Sequence, residues 1–184
     1  MRIFGVDPGS MHTGYGCIQM SGSRLRILTS GVISPPAQGT FPEKLLSVHA
    51  GLSNLLQEYE PEVVAIEDLF YARNARSASK LGHVRGVAML AAAEAGMPVA
   101  EYLPTQVKQA VVGYGRAEKQ QVRDMVMLLL GLKTPPEKLD TSDALAVAIC
   151  HAHSVGTMDT QVALRPDQSV SRSWRRYRPD RVKQ

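Results

Sequence analysis

Apolar residues recur along this chain with two different periods, and the changes of period mark its elements. Arg2-Ile3-Phe4-Gly5-Val6-Asp7 is a short apolar run and reads as a strand. Residues 14–20 and 24–34 read as further strands around the turn Ser21-Gly22-Ser23, so the chain opens antiparallel. Pro35-Pro36 ends that pattern. Thr40-x-x-Glu43 with Pro42 then starts a helix. Leu45, Leu46, Val48, Leu52, Leu55 and Leu56 recur within it at helical spacing, to about Tyr59. Pro61 precedes a second apolar run, Val63-Val64-Ala65-Ile66-Glu67, which reads as a buried strand. A helix of small residues follows over about 76–95, and Met97 to Tyr102 is a fifth strand. Pro104 opens a helix carrying Val107, Val111 and Val112, which breaks at Gly113-Tyr114-Gly115. The spacing then predicts helices over about 117–130 and 141–153. After Gly156 the periodicity fades.

This order predicts an α/β fold: a five-stranded mixed sheet, three antiparallel strands and then two parallel ones, flanked by helices. The first and fourth strands are expected to be neighbours, joined by a right-handed crossover through the 41–59 helix. Residues 1–156 form the folded domain and 157–184 a largely disordered basic tail.

Charge sharpens that division. The net charge is +4, but residues 165–184 hold seven Lys or Arg against Asp167 and Asp180, a net of +5. The remainder carries 14 basic and 15 acidic residues, so the high pI belongs to the tail and by itself says nothing about the body. Two stretches of the body are locally basic. Arg73, Arg76, Lys80 and Arg85 occur between Leu69 and Ala93 with no acid. Lys108, Arg116, Lys119 and Arg123 occur between Tyr102 and Arg123 against Glu118 alone. They bracket Glu67, as a phosphate-tracking surface beside a metal site would. No run approaches the roughly 20 apolar residues of a membrane span, and no signal-peptide pattern opens the chain. Cys17 and Cys150 are too few for a disulfide framework and read as reduced core residues of a cytoplasmic protein. Cys150-His151-Ala152-His153 reads as a packed helix end, because these side chains do not converge on one point.

Four acids carry the candidate chemistry. Asp7 and Glu67 each end an apolar strand. Asp140 and Asp143 lie three apart at the head of the apolar segment Ala144 to Cys150, a spacing that puts both on one helix face. Taken singly, each has a local reading: Asp7 as a turn residue before Pro8-Gly9, Glu67 as a solvated strand end, Asp140 as a helix cap, Asp143 as a first-turn acid. Brought together from three elements, they would repel one another unless cations neutralised them, and oxygen ligands suit Mg²⁺ or Mn²⁺ rather than Zn²⁺.

Phe4-Gly5-Val6-Asp7-Pro8-Gly9-Ser10 with Thr13-Gly14-Tyr15-Gly16 resembles the opening of the RuvC-type Holliday-junction resolvases. The likeness continues in order through Ala65-Ile66-Glu67-Asp68-Leu69-Phe70, Ala72-Arg73-Asn74-Ala75, Ser79-Lys80-Leu81-Gly82, Arg85-Gly86-Val87-Ala88, Gln106-Val107-Lys108-Gln109, Ala117-Glu118-Lys119 and Asp143-Ala144-Leu145-Ala146. It covers about residues 1–155. The resemblance implies a ribonuclease-H-like fold, a homodimer, and Mg²⁺-dependent endonuclease activity that resolves four-way DNA junctions, with catalytic metal ligands at Asp7, Glu67, Asp140 and Asp143. Two ions per site would serve in-line displacement at phosphorus. The family also suggests cooperation with the RuvA–RuvB branch-migration complex. Phe70, Arg73, Asn74, Arg76, Lys80, Arg85, Lys108 and Lys119 are the candidate DNA contacts. Phe70 has two readings, stacking on an unpaired base or packing over the sheet edge. Solvated surface lysines are common, so Lys108 and Lys119 rest on the motifs. The tail departs from the family pattern.

Three other readings compete. Asp7-Pro-Gly-x-x-x-Thr-Gly14 also resembles the first phosphate loop of sugar-kinase and actin-like ATPases, but those need two such domains. A non-catalytic junction-binding module has no use for four clustered acids. An RNA-processing nuclease of the same fold stays open.

Overall fold

The computed structural model describes residues 1–68 and 75–162, by backbone alone from 156. Its strands are β1 (Arg2–Asp7), β2 (Thr13–Ser21), β3 (Arg24–Ile33), β4 (Val63–Glu67) and β5 (Val99–Tyr102), in the sheet order β3-β2-β1-β4-β5. The first three pair antiparallel, whereas β1–β4 and β4–β5 are parallel. The expected mixed sheet is therefore present, with the first and fourth strands adjacent. Ile3 to Val6 stand beside Val63 to Ile66, so Asp7 and Glu67 emerge together where the two strands stop.

Helices α1 (Phe41–Tyr59) and α2 (Ala75–Glu94) cover one face of the sheet. There Phe4, Val6, Cys17, Val64 and Ile66 bury against Val48, Leu52, Leu56, Val84, Ala88 and Ala91. The start of α1 is held by Glu43, whose carboxylate accepts the Thr40 backbone N–H at 2.7 Å. Helices α3 (Pro104–Val112), α4 (Lys119–Leu130) and α5 (Leu139–Val162) cover the other face. Here the alternate residues Ile3, Val63 and Ala65 bury against Leu145, Ala148 and Ile149.

Two glycines set how closely α5 lies on the sheet. A Cβ on Gly5 would collide with the Ala144 carbonyl, and one on Gly14 with the Asp140 carbonyl. These positions form a saddle in which only hydrogen fits, and the N-terminal half of α5 rests in it.

Two boundaries differ from the sequence expectation. Helix α4 begins at Lys119 rather than 117, because the Gln121 side chain accepts the Glu118 N–H at 2.9 Å and fixes the start there. Helix α5 begins at Leu139 rather than 141, and its backbone runs to Val162 rather than 153. Helical backbone needs no apolar period to propagate once the preceding turns are packed, so a fading period does not mark the end of a helix. The remainder of the basic tail lies outside the described residues.

Candidate active site

The alternation of β1 and β4 puts Gly5, Asp7, Ala65 and Glu67 on the face that α5 covers. Helix α5 sits on the glycine saddle with Asp140 and Asp143 in its first turns. The four acids thus converge from three elements on one edge of the sheet. Asp140 lies inside the first turn and does not cap the helix.

Their electrostatics show how close they stand. Burial first, then the charges of Glu67, Asp143 and Asp140, push the Asp7 carboxyl up to about 8. Burial and then Asp143 push Glu67 up to about 7. Lys119 opposes both shifts, and Lys108 on α3 also opposes that of Glu67. The Lys119 ammonium donates to Asp143 Oδ2 at 2.8 Å, which raises the lysine's own pKa. Glu67 and Asp7 share a side-chain hydrogen bond. No three His, Cys, Asp or Glu side chains among the described residues already stand at metal-coordination spacing. Carboxylates crowded so that the charges of Glu67, Asp143 and Asp140 all raise Asp7 are nevertheless a donor set that a divalent cation fits, since it removes both the desolvation and the repulsion.

The loop after Asp7 is tightly built. Thr13 is fully buried and its hydroxyl donates to the Gly9 carbonyl at 3.0 Å, while His12 Nδ1 lies 3.0 Å from Ser34 Oγ.

The candidate DNA contacts divide. Lys108 and Lys119 stand beside the acids. Arg76 and Lys80 are exposed on the first half of α2, with Lys80 Nζ 5.8 Å from the Phe41 ring centroid. Arg85 turns inward instead, to Asp68 and Glu101, with its side chain only 21% exposed. Asp68, beside Glu67, is thus an ion-pair partner of Arg85. Arg123, from the second basic stretch, donates to the Pro136 carbonyl at 3.2 Å. Charge counting cannot tell which arginines are spoken for inside the fold. Phe70, Arg73 and Asn74 lie outside the described residues. Cys150 is buried, His151 bonds the Tyr102 hydroxyl at 2.8 Å, and His153 bonds the Ala110 carbonyl at 2.9 Å, so that cluster is a packed helix end.

Sequence reasoning passed over Gly5, Gly14 and Glu101. Gly5 alone carried a signal: a glycine inside a strand marks close approach of another backbone.

A mixed sheet of this order, with acids where its central strands stop and on the helix crossing them, defines a ribonuclease-H-like fold. The profile of the family Crossover junction endodeoxyribonuclease RuvC matches residues 3–151. The Crossover junction endodeoxyribonuclease RuvC of Citrifermentans bemidjiense is 54% identical over 156 residues, 85% of this chain and 94% of that one. Its counterpart in Pelobacter propionicus is 48% identical over 181 residues, 97% of this chain and 100% of that one. The structure of Thermus thermophilus RuvC in complex with a Holliday junction substrate superposes with a TM-score of 0.82 at 38% identity, over 86% of this chain and 96% of that one. The chain belongs to the RuvC family of crossover junction endodeoxyribonucleases.

Proposed function

We infer that this protein is an endonuclease that resolves four-way DNA junctions in recombination and repair, nicking two strands of like polarity. The carrying observation is the four-acid cluster at the sheet edge, in a chain of this family.

Asp7, Glu67, Asp140 and Asp143 would hold the divalent metal. Donors of this kind suit Mg²⁺, with Mn²⁺ as a substitute, two ions per site, whose contribution is Lewis-acid polarisation of the phosphate and activation of the attacking water. The remaining work falls to the chain. Burial and repulsion among the acids hold the metal-free carboxyls of Asp7 and Glu67 up at about 8 and about 7, so near neutral pH both would give up protons to a bound cation and stand as anionic ligands. Lys119 and Lys108 put positive charge where the scissile phosphate must enter against four carboxylates. Water oxygen bonds to phosphorus, the P–O3′ bond breaks, and the departing 3′ oxygen takes up a proton. The products are a 5′-phosphate and a 3′-hydroxyl, which a ligase can join. Arg76 and Lys80, exposed on the first half of α2, would contact the phosphates of a duplex arm. Residues 163–184, by their charge, serve as a cationic arm on that duplex.

A homodimer supplies one site per strand, because a two-fold axis matches paired cuts on strands of like polarity. The face that supports it is that of α1 and α2. A shallow groove of about 440 Å³ runs there, lined by Leu45, Gly82, Gly86, Val87 and Leu90. Ala88, Ala91 and Ala92 of the same small-residue helix are buried in the protein's own core and are not available. Branch migration by RuvA–RuvB supplies the substrate in this reading, and the cytoplasm is its setting. No helix among the described residues is long and apolar enough to cross a membrane.

Incubation with a synthetic four-way DNA junction and Mg²⁺ or Mn²⁺, with mapping of the nicks, tests the function. Paired, ligatable nicks at symmetric positions are expected. Equal cutting of a matched RNA junction would favour the RNA-processing reading, and tight binding without cutting would favour a binding module.

A further inference from the structure

Behind the sheet, on the face opposite the metal acids, one arginine ties three elements together. Glu67 faces α5, so its neighbour Asp68 faces α2. Glu101, one residue before Tyr102 on β5, faces the same way. From α2, Arg85 meets Asp68 Oδ1 at 3.2 Å with one guanidinium nitrogen, which also contacts Glu101 Oε2. The Asp68 backbone N–H donates to the Tyr102 carbonyl at 2.8 Å, which fastens the same residue to β5. Arg85 Nε is buried with no hydrogen-bond partner among the described residues. A half-buried guanidinium with one buried, unsatisfied nitrogen is a poor choice for packing alone on a helix that buries Val84 and Ala88, so its place here points to a further task.

We propose that Arg85 is a positioning residue for the metal site: it clamps Asp68 and Glu101 from behind and so fixes the strand end that carries Glu67. The physical need is plain. Four acids meet on the front of the sheet and push apart, and Glu67 ends a strand with no further β4 residue to hold it. Asp68 would add a fifth negative charge next door. Arg85 cancels that charge and holds Asp68 against β5, so the Glu67 backbone cannot retreat from Asp7. This is a different role from the DNA contact that charge alone suggested for Arg85. One terminal guanidinium nitrogen carries both contacts, so a lysine ammonium reaching the same point would restore part of the clamp.

The proposal rests on the nuclease reading above, so its test keeps a readout that does not depend on cutting. Full-length Arg85→Gln, Arg85→Lys and Asp68→Asn are compared with the wild type by Mn²⁺ titration calorimetry, by junction binding at several salt concentrations, and by nicking at saturating junction. Arg85→Gln is expected to weaken Mn²⁺ binding and lower kcat by ~10–100-fold, the usual effect of losing a group that orients metal ligands. Junction affinity and its salt slope stay as in the wild type, and Arg85→Lys recovers part of the loss. Asp68→Asn leaves the Arg85–Glu101 contact in place, so it serves as the folded variant if Arg85→Gln does not fold, and it is expected to move Mn²⁺ affinity in the same direction. Weaker junction binding with a shallower salt slope would assign Arg85 to DNA and overturn the proposal. Unchanged Mn²⁺ affinity in folded Arg85→Lys and Asp68→Asn would overturn it equally. A wild type that binds Mn²⁺ but never nicks the junction would sink the nuclease reading, while the Mn²⁺ affinities still judge Arg85.

Discussion

Asp7 concentrates the tension of this site. Its folded pKa of about 8 stands above an unfolded value of 3.8, so between those limits the native protein holds a proton that the unfolded chain releases. The stability this gives is complete below pH 3.8 and is lost as pH rises toward 8. Glu67 adds to the loss in the same direction between 4.5 and about 7. Metal-free protein should therefore lose thermal stability across that range. Asp7→Asn should flatten the decline and raise the melting temperature near pH 8, at ~2–4 °C per kcal/mol for a chain of this size. Scanning calorimetry with and without Mg²⁺ checks both, since Mg²⁺ should restore the wild type and barely affect Asp7→Asn. The same substitution should cut nicking by roughly 10³-fold, as expected when several kcal/mol of metal-derived stabilisation are lost. Junction affinity should hold or rise, because a negative charge near phosphate is gone. Lost binding in a folded Asp7→Asn protein would remove its metal role. These acids were legible in the sequence because an acid at the end of a buried strand has no packing purpose. Arg85 and Arg123 were not, because a basic side chain looks the same in sequence whether it faces DNA, a carboxylate or a carbonyl.

At the scale of elements, the five strands, their mixed pairing and the β1–β4 adjacency followed from the order of apolar periods. The seating of α5 did not. Gly5 reads as one apolar position among several in β1 until the helix that crosses it is known, since its role is set by the Ala144 carbonyl, 139 residues away in sequence. The seating matters for function because Asp140 and Asp143 ride on α5 while Asp7 rides on β1. Gly5→Ala should cost ~1–3 kcal/mol through overpacking. It should also lift the N-terminal half of α5 and draw its two acids away from Asp7. Nicking per folded molecule should then fall by more than tenfold at a temperature where circular dichroism shows the variant fully folded. Normal specific activity in the folded variant would mean the saddle serves packing alone.

At the scale of the whole molecule, α2 carries a pair of described residues that the protomer's own fold does not explain. Gly82 and Gly86 lie in the middle of α2, and a Cβ on either meets nothing within 4 Å. Glycine inside a helix costs about 0.5–1 kcal/mol relative to alanine, so a chain folding only for itself has no reason to place two there. Beside them, Leu90 is 51% exposed. Bare helix backbone flanked by an exposed leucine fits the close approach of a second helix, and a two-fold partner supplies the same one. Gly82→Leu with Gly86→Leu tests this, because leucine favours the helix and its Cβ meets nothing in the protomer, yet its side chain would occupy the groove. The double variant should keep or gain thermal stability as a protomer. It should sediment as a monomer at concentrations where the wild type is a dimer, and it should release singly nicked junctions in place of paired duplex products. An unchanged dimer would move the interface to another face. A wild type that is monomeric while resolving junctions fully would end the argument that two-fold symmetry delivers the second cut.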